Sequence, residues 1–155
     1  MQVTRRTVMG AISCAIGLAT LPGQAETDAS LHVVKDPGCP CCNAWIGHVR
    51  ENGFRVSFEE RSADELAAFK RERGIPEDLA SCHTATVGDY TIEGHVPAAD
   101  IRRLLAERPA AIGLTVPGMP YGSPGMGPEA ERVAFDVILL GQDGASAVFS
   151  RYPAA

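Results

Sequence analysis

The alternation of apolar and polar positions divides the chain into short, sharply bounded segments. Leu31-His32-Val33-Val34 reads as a buried strand that stops at the turn residues Lys35-Asp36-Pro37-Gly38. From Asn43 to Asn52, Trp45, Ile46 and Val49 recur on one helical face, and Asn52-Gly53 supplies the stop. Phe54 to Phe58 alternates as a strand. Ser62 then caps a helix from Ala63 to Arg73, with Glu65 completing a capping box. Short strands at Ala85 to Val87 and Tyr90 to Glu93 flank a Gly88-Asp89 turn, and Pro97 to Glu107 has the periodicity of an amphipathic helix.

From Ala110 the composition changes. Val116 to Met126 holds three prolines and three glycines and is expected to be an irregular loop. Phe135 to Leu140 and Ala147 to Tyr152 read as a terminal hairpin turned at Gln142-Asp143-Gly144. The expected class is α/β: a βαβαββα core of thioredoxin-like arrangement, a Pro/Gly-rich lid loop and a C-terminal β-hairpin. There is no internal repeat.

The first 25 residues have a different character. Arg5-Arg6 opens an apolar stretch from Val8 to Leu21 that ends at Gly23-Gln24-Ala25, so residues 1–25 are expected to be a cleaved export signal, twin-arginine-like, with cleavage after Ala25. That stretch holds about fourteen residues where a spanning helix needs about 20. Cys14 leaves with the leader. Residues 26–155 are then one domain, expected in the periplasm.

The whole chain has 155 residues and a formal charge of -5. Without Arg5 and Arg6 there remain 12 basic and 19 acidic residues, a charge of -7, which excludes nucleic acid as a natural partner.

The chemistry concentrates in cysteine. Cys39-Pro40-Cys41-Cys42 places three thiols within four residues where a strand meets a helix, and the positive end of a helix dipole favours thiolate, the form that binds metal. Cys82 precedes the third strand, on the loop that faces the first helix N-terminus in a thioredoxin-like arrangement. Cys39 and Cys42 also have the spacing of a thiol-disulfide oxidoreductase, and four cysteines allow a purely structural pairing. A third thiol between a redox pair invites scrambling, whereas several bridging thiolates suit a soft, low-coordinate ion such as Cu(I). Zinc fits four thiolates, but neighbours such as Cys41 and Cys42 bridge two ions more naturally than they chelate one.

Further candidate ligands are His83, beside Cys82; His95, just before the last helix; and the thioethers Met119 and Met126 on the lid loop. If the loop before the third strand is extended, His83 points away from Cys82. His48 and His32 read as structural, and the charged faces of 63–73 and 101–108 as solvated.

Four motifs in order, Asp36-Pro37-Gly38-Cys39-Pro40-Cys41-Cys42-Asn43-Ala44-Trp45, Leu79-Ala80-Ser81-Cys82-His83-Thr84, Glu93-Gly94-His95-Val96-Pro97, and Val116 to Pro120 with Gly122 to Met126, resemble the CopG-like family of small exported proteins linked to bacterial copper resistance. The resemblance spans about Val34 to Met126. Pro40 and Gly127 depart from the glycine and acidic residue usual there, and neither departure removes a ligand. The resemblance implies a thioredoxin-like fold and copper binding. The expected function is a periplasmic copper-resistance protein holding more than one Cu(I) ion in a cysteine-thiolate cluster, with interconversion of Cu(I) and Cu(II) as an extension. The alternatives are a thiol-disulfide oxidoreductase using Cys39 and Cys42, or a chaperone delivering copper to an exporter or other periplasmic copper protein.

Overall fold

The computed structural model describes residues 29–155, so the export signal, its cleavage point and Cys14 lie outside the described residues. In chain order the elements are β1 (Ser30–Lys35), α1 (Pro40–Glu51), β2 (Arg55–Glu60), α2 (Ala63–Glu72), β3 (His83–Val87), β4 (Tyr90–Glu93), α3 (Ala98–Glu107), β5 (Ala111–Thr115), β6 (Phe135–Gly141) and β7 (Ser146–Tyr152). The strands form one mixed sheet in the order β2-β1-β3-β4-β5-β6-β7.

Two crossovers build this sheet. Helix α1 joins the parallel pair β1 and β2, and α3 joins the parallel pair β4 and β5; the remaining neighbours are antiparallel. Alternation along β1 separates the two faces. Leu31 and Val33 enter a core with Trp45, Ile46 and Val49 of α1 and Ile101 and Leu104 of α3, while Val34 packs with Leu66 and Phe69 of α2. Thus α1 and α3 cover one face and α2 the other. Each large side chain fully buried here contributes about 1.5–3 kcal/mol.

Three differences from the sequence expectation have physical causes. Helix α1 begins at Pro40 rather than Asn43, because proline is well suited to the first helical position and Cys39 caps the helix, its sulfur accepting the Cys42 N–H at 3.2 Å. Strand β2 is largely exposed, Phe58 included, as a charged edge strand with a single neighbour. Strand β5 was not expected at all. Five residues interrupted by Gly113 carry little periodicity, yet that glycine is what lets β5 approach β4: a Cβ there would stand 1.7 Å from the Thr91 carbonyl oxygen.

Through β5 the C-terminal hairpin joins the sheet instead of standing apart. Buried Asp100 of α3 fastens its far strand, accepting hydrogen bonds from Ser150 Oγ and, at 2.6 Å, from Tyr152 Oη. The capping box forms as expected, with the Glu65 carboxylate accepting the Ser62 backbone N–H at 3.0 Å.

Candidate functional site

The C-terminal end of β1, the first turn of α1, the segment before β3, the β4–α3 connection and the Pro/Gly-rich loop converge at one end of the sheet. At the end of β1, Asp36 accepts the Gly38 N–H through Oδ1 at 2.8 Å and the Cys39 N–H through its carbonyl at 3.3 Å. This turn delivers Cys39 to the helix cap, and Cys41 and Cys42 follow within the first turn.

Cys39 and Cys42 form a disulfide, with Cα atoms 5.3 Å apart, while Cys41 and Cys82 are free thiols. The sulfur of Cys41 lies 3.5 Å from that of Cys39 and 3.8 Å from that of Cys82; Cys42 and Cys82 sulfurs are 3.5 Å apart. All four sulfur atoms fall within 4.8 Å of one another. Cys82 thus completes the group from across the cleft.

A buried polar network sets the position of Cys82. Glu93, fully buried, accepts the Ser81 N–H at 2.6 Å, pairs with Lys70 at 2.5 Å and accepts the Thr84 hydroxyl at 2.6 Å. Thr115 Oγ1 donates to the Leu79 carbonyl at 2.7 Å, and Gly118 N–H donates to the Ala80 carbonyl at 3.1 Å. The 79–82 segment is therefore tied on both sides. Burial pushes the Glu93 carboxyl upward, opposed by Lys70 and the three hydrogen bonds. Desolvation, and after it the neighbouring Cys41, push the Cys82 thiol up to about 12, so without a metal it is a neutral thiol.

Two imidazoles face that thiol. His95 Nδ1 donates to the Pro124 carbonyl at 2.8 Å, which fixes the tautomer and leaves Nε2 unprotonated, 3.1 Å from Cys82 Sγ. His83 does not point away: Cys82 occupies a bend just before β3, so adjacent side chains converge and His83 Nδ1 lies 3.3 Å from Cys82 Sγ. The His83 ring is wholly buried against Trp45, whose indole N–H donates to the Val96 carbonyl at 2.9 Å, and its Nε2 has no hydrogen-bond partner. Desolvation, with His95 and Lys70 assisting, holds His83 well below its ordinary value, and desolvation lowers His95 too. Both rings are neutral, the form that ligates.

The Pro/Gly-rich loop closes over the helix end. Gly125, at φ +82, lies so near α1 that a Cβ would stand 2.6 Å from Trp45 N and 3.0 Å from the Cys41 carbonyl oxygen. Met126 follows it and is half-buried, whereas Met119 is 54% exposed. Of the other histidines, His48 Nε2 accepts the Ala98 N–H at 3.3 Å at the start of α3, and His32 contacts Ser57 at 3.0 Å on the exposed strand edge.

Lys70 and Glu93 were not recognisable from the sequence. Lys70 sits on a helix whose other charged positions are solvated, and only the β3–β4 pairing reveals that Glu93 points inward beside it. The site residues suit a soft or borderline metal ion: two thiolates sharing an ion through bonds of about 2.3 Å lie about 3.8 Å apart, close to the sulfur separations here. Holding an ion on all four cysteines requires reduction of the Cys39–Cys42 bond.

The family model described as "Protein of unknown function, DUF411" matches residues 79–126. No curated protein matches the chain. Two solved structures of a copper resistance protein CopG are similar throughout their length. Form 1 has 40% sequence identity and a TM-score of 0.76, and form 2 has 42% and 0.74; each match covers 81% of this chain and 98% of the other. At that identity and coverage, with four cysteines gathered at one end of the sheet, the chain belongs to the CopG family.

Proposed function

We propose that the protein is an exported copper-binding protein of copper resistance, which in its reduced state holds more than one Cu(I) ion on the thiolates of Cys39, Cys41, Cys42 and Cys82. The observation that carries this reading is the convergence of four sulfur atoms within 4.8 Å, at separations suited to bridging thiolates. Four soft donors that close select a soft, low-coordinate ion, and the similar solved structures are of a copper resistance protein. His83 and His95 are neutral donors at the edge of the cluster. Met126, beside the glycine seated on Cys41, is the better placed of the two lid thioethers, and Met119 can join only by inward movement of an exposed side chain.

The strand order β2-β1-β3-β4, with β1 parallel to β2 and antiparallel to β3, supports a thioredoxin-like reading of the first part of the chain. Residues 26–155 act as one domain in the periplasm after removal of the leader. None of the helices among the described residues is long and apolar enough to cross a membrane. Copper held this way is sequestered, cycled between Cu(I) and Cu(II), or passed to an exporter or another periplasmic copper protein.

The Cys39–Cys42 disulfide favours a second reading, thiol-disulfide exchange at that pair. Anaerobic loading of the fully reduced mature protein with Cu(I), with copper and alkylatable thiols counted together, separates the two. The cluster requires more than one copper per chain, protection of all four cysteines, and a lower copper count in Cys41→Ser. Full copper binding by Cys41→Ser, with a disulfide substrate turned over through Cys39, would instead establish the exchange reading.

A further inference from the structure

The disulfide divides the site unevenly. It removes Cys39 and Cys42 from the supply of thiolates, yet leaves Cys82, His83 and His95 as a second group whose ligand atoms also lie within 4.8 Å of one another. We propose that the oxidised, disulfide-containing protein binds a single divalent ion of the zinc and cobalt class on Cys82, His83 and His95. This goes beyond the copper reading, uses the same end of the sheet, and stands without it.

The geometry is close to that of an occupied site. A metal with a bond of about 2.3 Å to sulfur and about 2.0–2.1 Å to nitrogen at a tetrahedral angle places the two donors about 3.5 Å apart. Cys82 Sγ lies 3.1 Å from His95 Nε2 and 3.3 Å from His83 Nδ1, so a few tenths of an ångström of opening admit the ion. His95 is already oriented by the support that ligating imidazoles use, its far nitrogen donating to the Pro124 carbonyl. His83 Nδ1 faces the same sulfur, and the wholly buried Nε2 has no hydrogen-bond partner.

Donor chemistry selects the class of ion. One thiolate with two imidazoles is a borderline set, suited to divalent ions such as zinc and cobalt and shared with Cu(II), whereas the reduced four-thiolate group is soft. The binding step exchanges a proton and no electrons: the Cys82 S–H bond breaks, a sulfur–metal bond forms, and one proton passes to solvent. Cys41 belongs to the other group, its sulfur 3.8 Å from that of Cys82. It is not required. The oxidation state of Cys39 and Cys42 thus sets which class of metal the site accepts.

The test is anaerobic titration with Co(II) of oxidised protein shown beforehand to have two free thiols. Expected are one cobalt per chain, a near-ultraviolet thiolate-to-cobalt band and the intense visible bands of four-coordination. Cys82→Ser should abolish the near-ultraviolet band and His95→Ala, which removes a ligand, weaken binding by at least about tenfold, while Cys41→Ser keeps the band. The Cys39→Ser/Cys42→Ser protein, which has neither the disulfide nor the four-thiolate group, should bind one cobalt with the same spectrum. Absence of binding, a weak six-coordinate spectrum indifferent to Cys82 and His95, or a band that depends on Cys41 instead would overturn the proposal. If Cys82→Ser does not fold, His95→Ala decides alone. Cu(I) stoichiometry of the reduced protein is read separately, so either the copper reading or this one can fail without the other.

Discussion

The rings of Trp45 and His83 lie 4.4 Å apart between centroids, tilted by 43°. Trp45 is the sole tryptophan of the chain, so intrinsic tryptophan fluorescence reports on the neighbour of a candidate ligand. Copper(I) bound at the cysteine group should quench that emission, saturating at the same copper-to-protein ratio that protects the thiols. Emission unchanged through a titration that fills the thiolates would place the metal away from His83.

A second prediction concerns Lys70 and Glu93. The pair is almost enclosed, and Glu93 also holds Ser81, the residue before Cys82. Lys70→Met leaves a buried carboxylate without its cation and should cost about 3–5 kcal/mol in urea denaturation, whereas Lys70→Met/Glu93→Gln should recover much of that loss. A double variant no more stable than Lys70→Met would show that the charges are not coupled.

The third prediction is a pH dependence traceable to His48. Burial, against the pull of Glu51 and with Arg102 assisting, holds its imidazole below the ordinary value of 6.5. The unfolded chain therefore takes up a proton near 6.5 that the folded chain refuses, so this ring penalises the folded state as pH falls below 6.5 and not above it. His83 and His95 act in the same direction and Glu93, raised by burial, in the opposite one. The His48 contribution is accordingly read as a difference. In parallel urea titrations, stability lost between pH 7 and 5 should be smaller in His48→Gln than in the parent protein, and equal losses would contradict the assignment.

The sequence makes the donors legible and leaves the forces that position them hidden. Cys39, Cys41, Cys42 and Cys82 stand out because thiols at that spacing have few other uses, and the strand and helix patterns bring them to one end of the sheet. Local pattern is silent on whatever depends on pairing between distant segments. Strand β5 becomes a strand only because Gly113 admits it against Thr91. The orientation of His83 depends on a bend at Cys82, and the importance of Lys70 on a carboxylate 23 residues away. The disulfide is similarly beyond spacing, since Cys39-Pro40-Cys41-Cys42 is compatible with both bridged and metal-binding states.

The last prediction tests the lid. Gly125 combines φ +82 with a close approach of the loop to α1, where a Cβ would meet the backbone of Trp45 and Cys41. Backbone atoms in the first turn of a helix yield little, so Gly125→Ala must displace the loop instead. The strained conformation and lost packing together should cost about 1–3 kcal/mol. Displacement also loosens Pro124, whose carbonyl orients His95, so the effect should extend to the site. Cys41 should be alkylated faster in Gly125→Ala than in the parent protein under conditions where both are fully folded, with His95 held less firmly in its tautomer by NMR. Gly118→Ala is the control: it has the same sign of φ, at +67, but open space around the added carbon, so it carries the backbone strain without the collision. If the two variants expose Cys41 equally, backbone strain alone explains the change, and the loop does not shield the cysteines through its contact with α1.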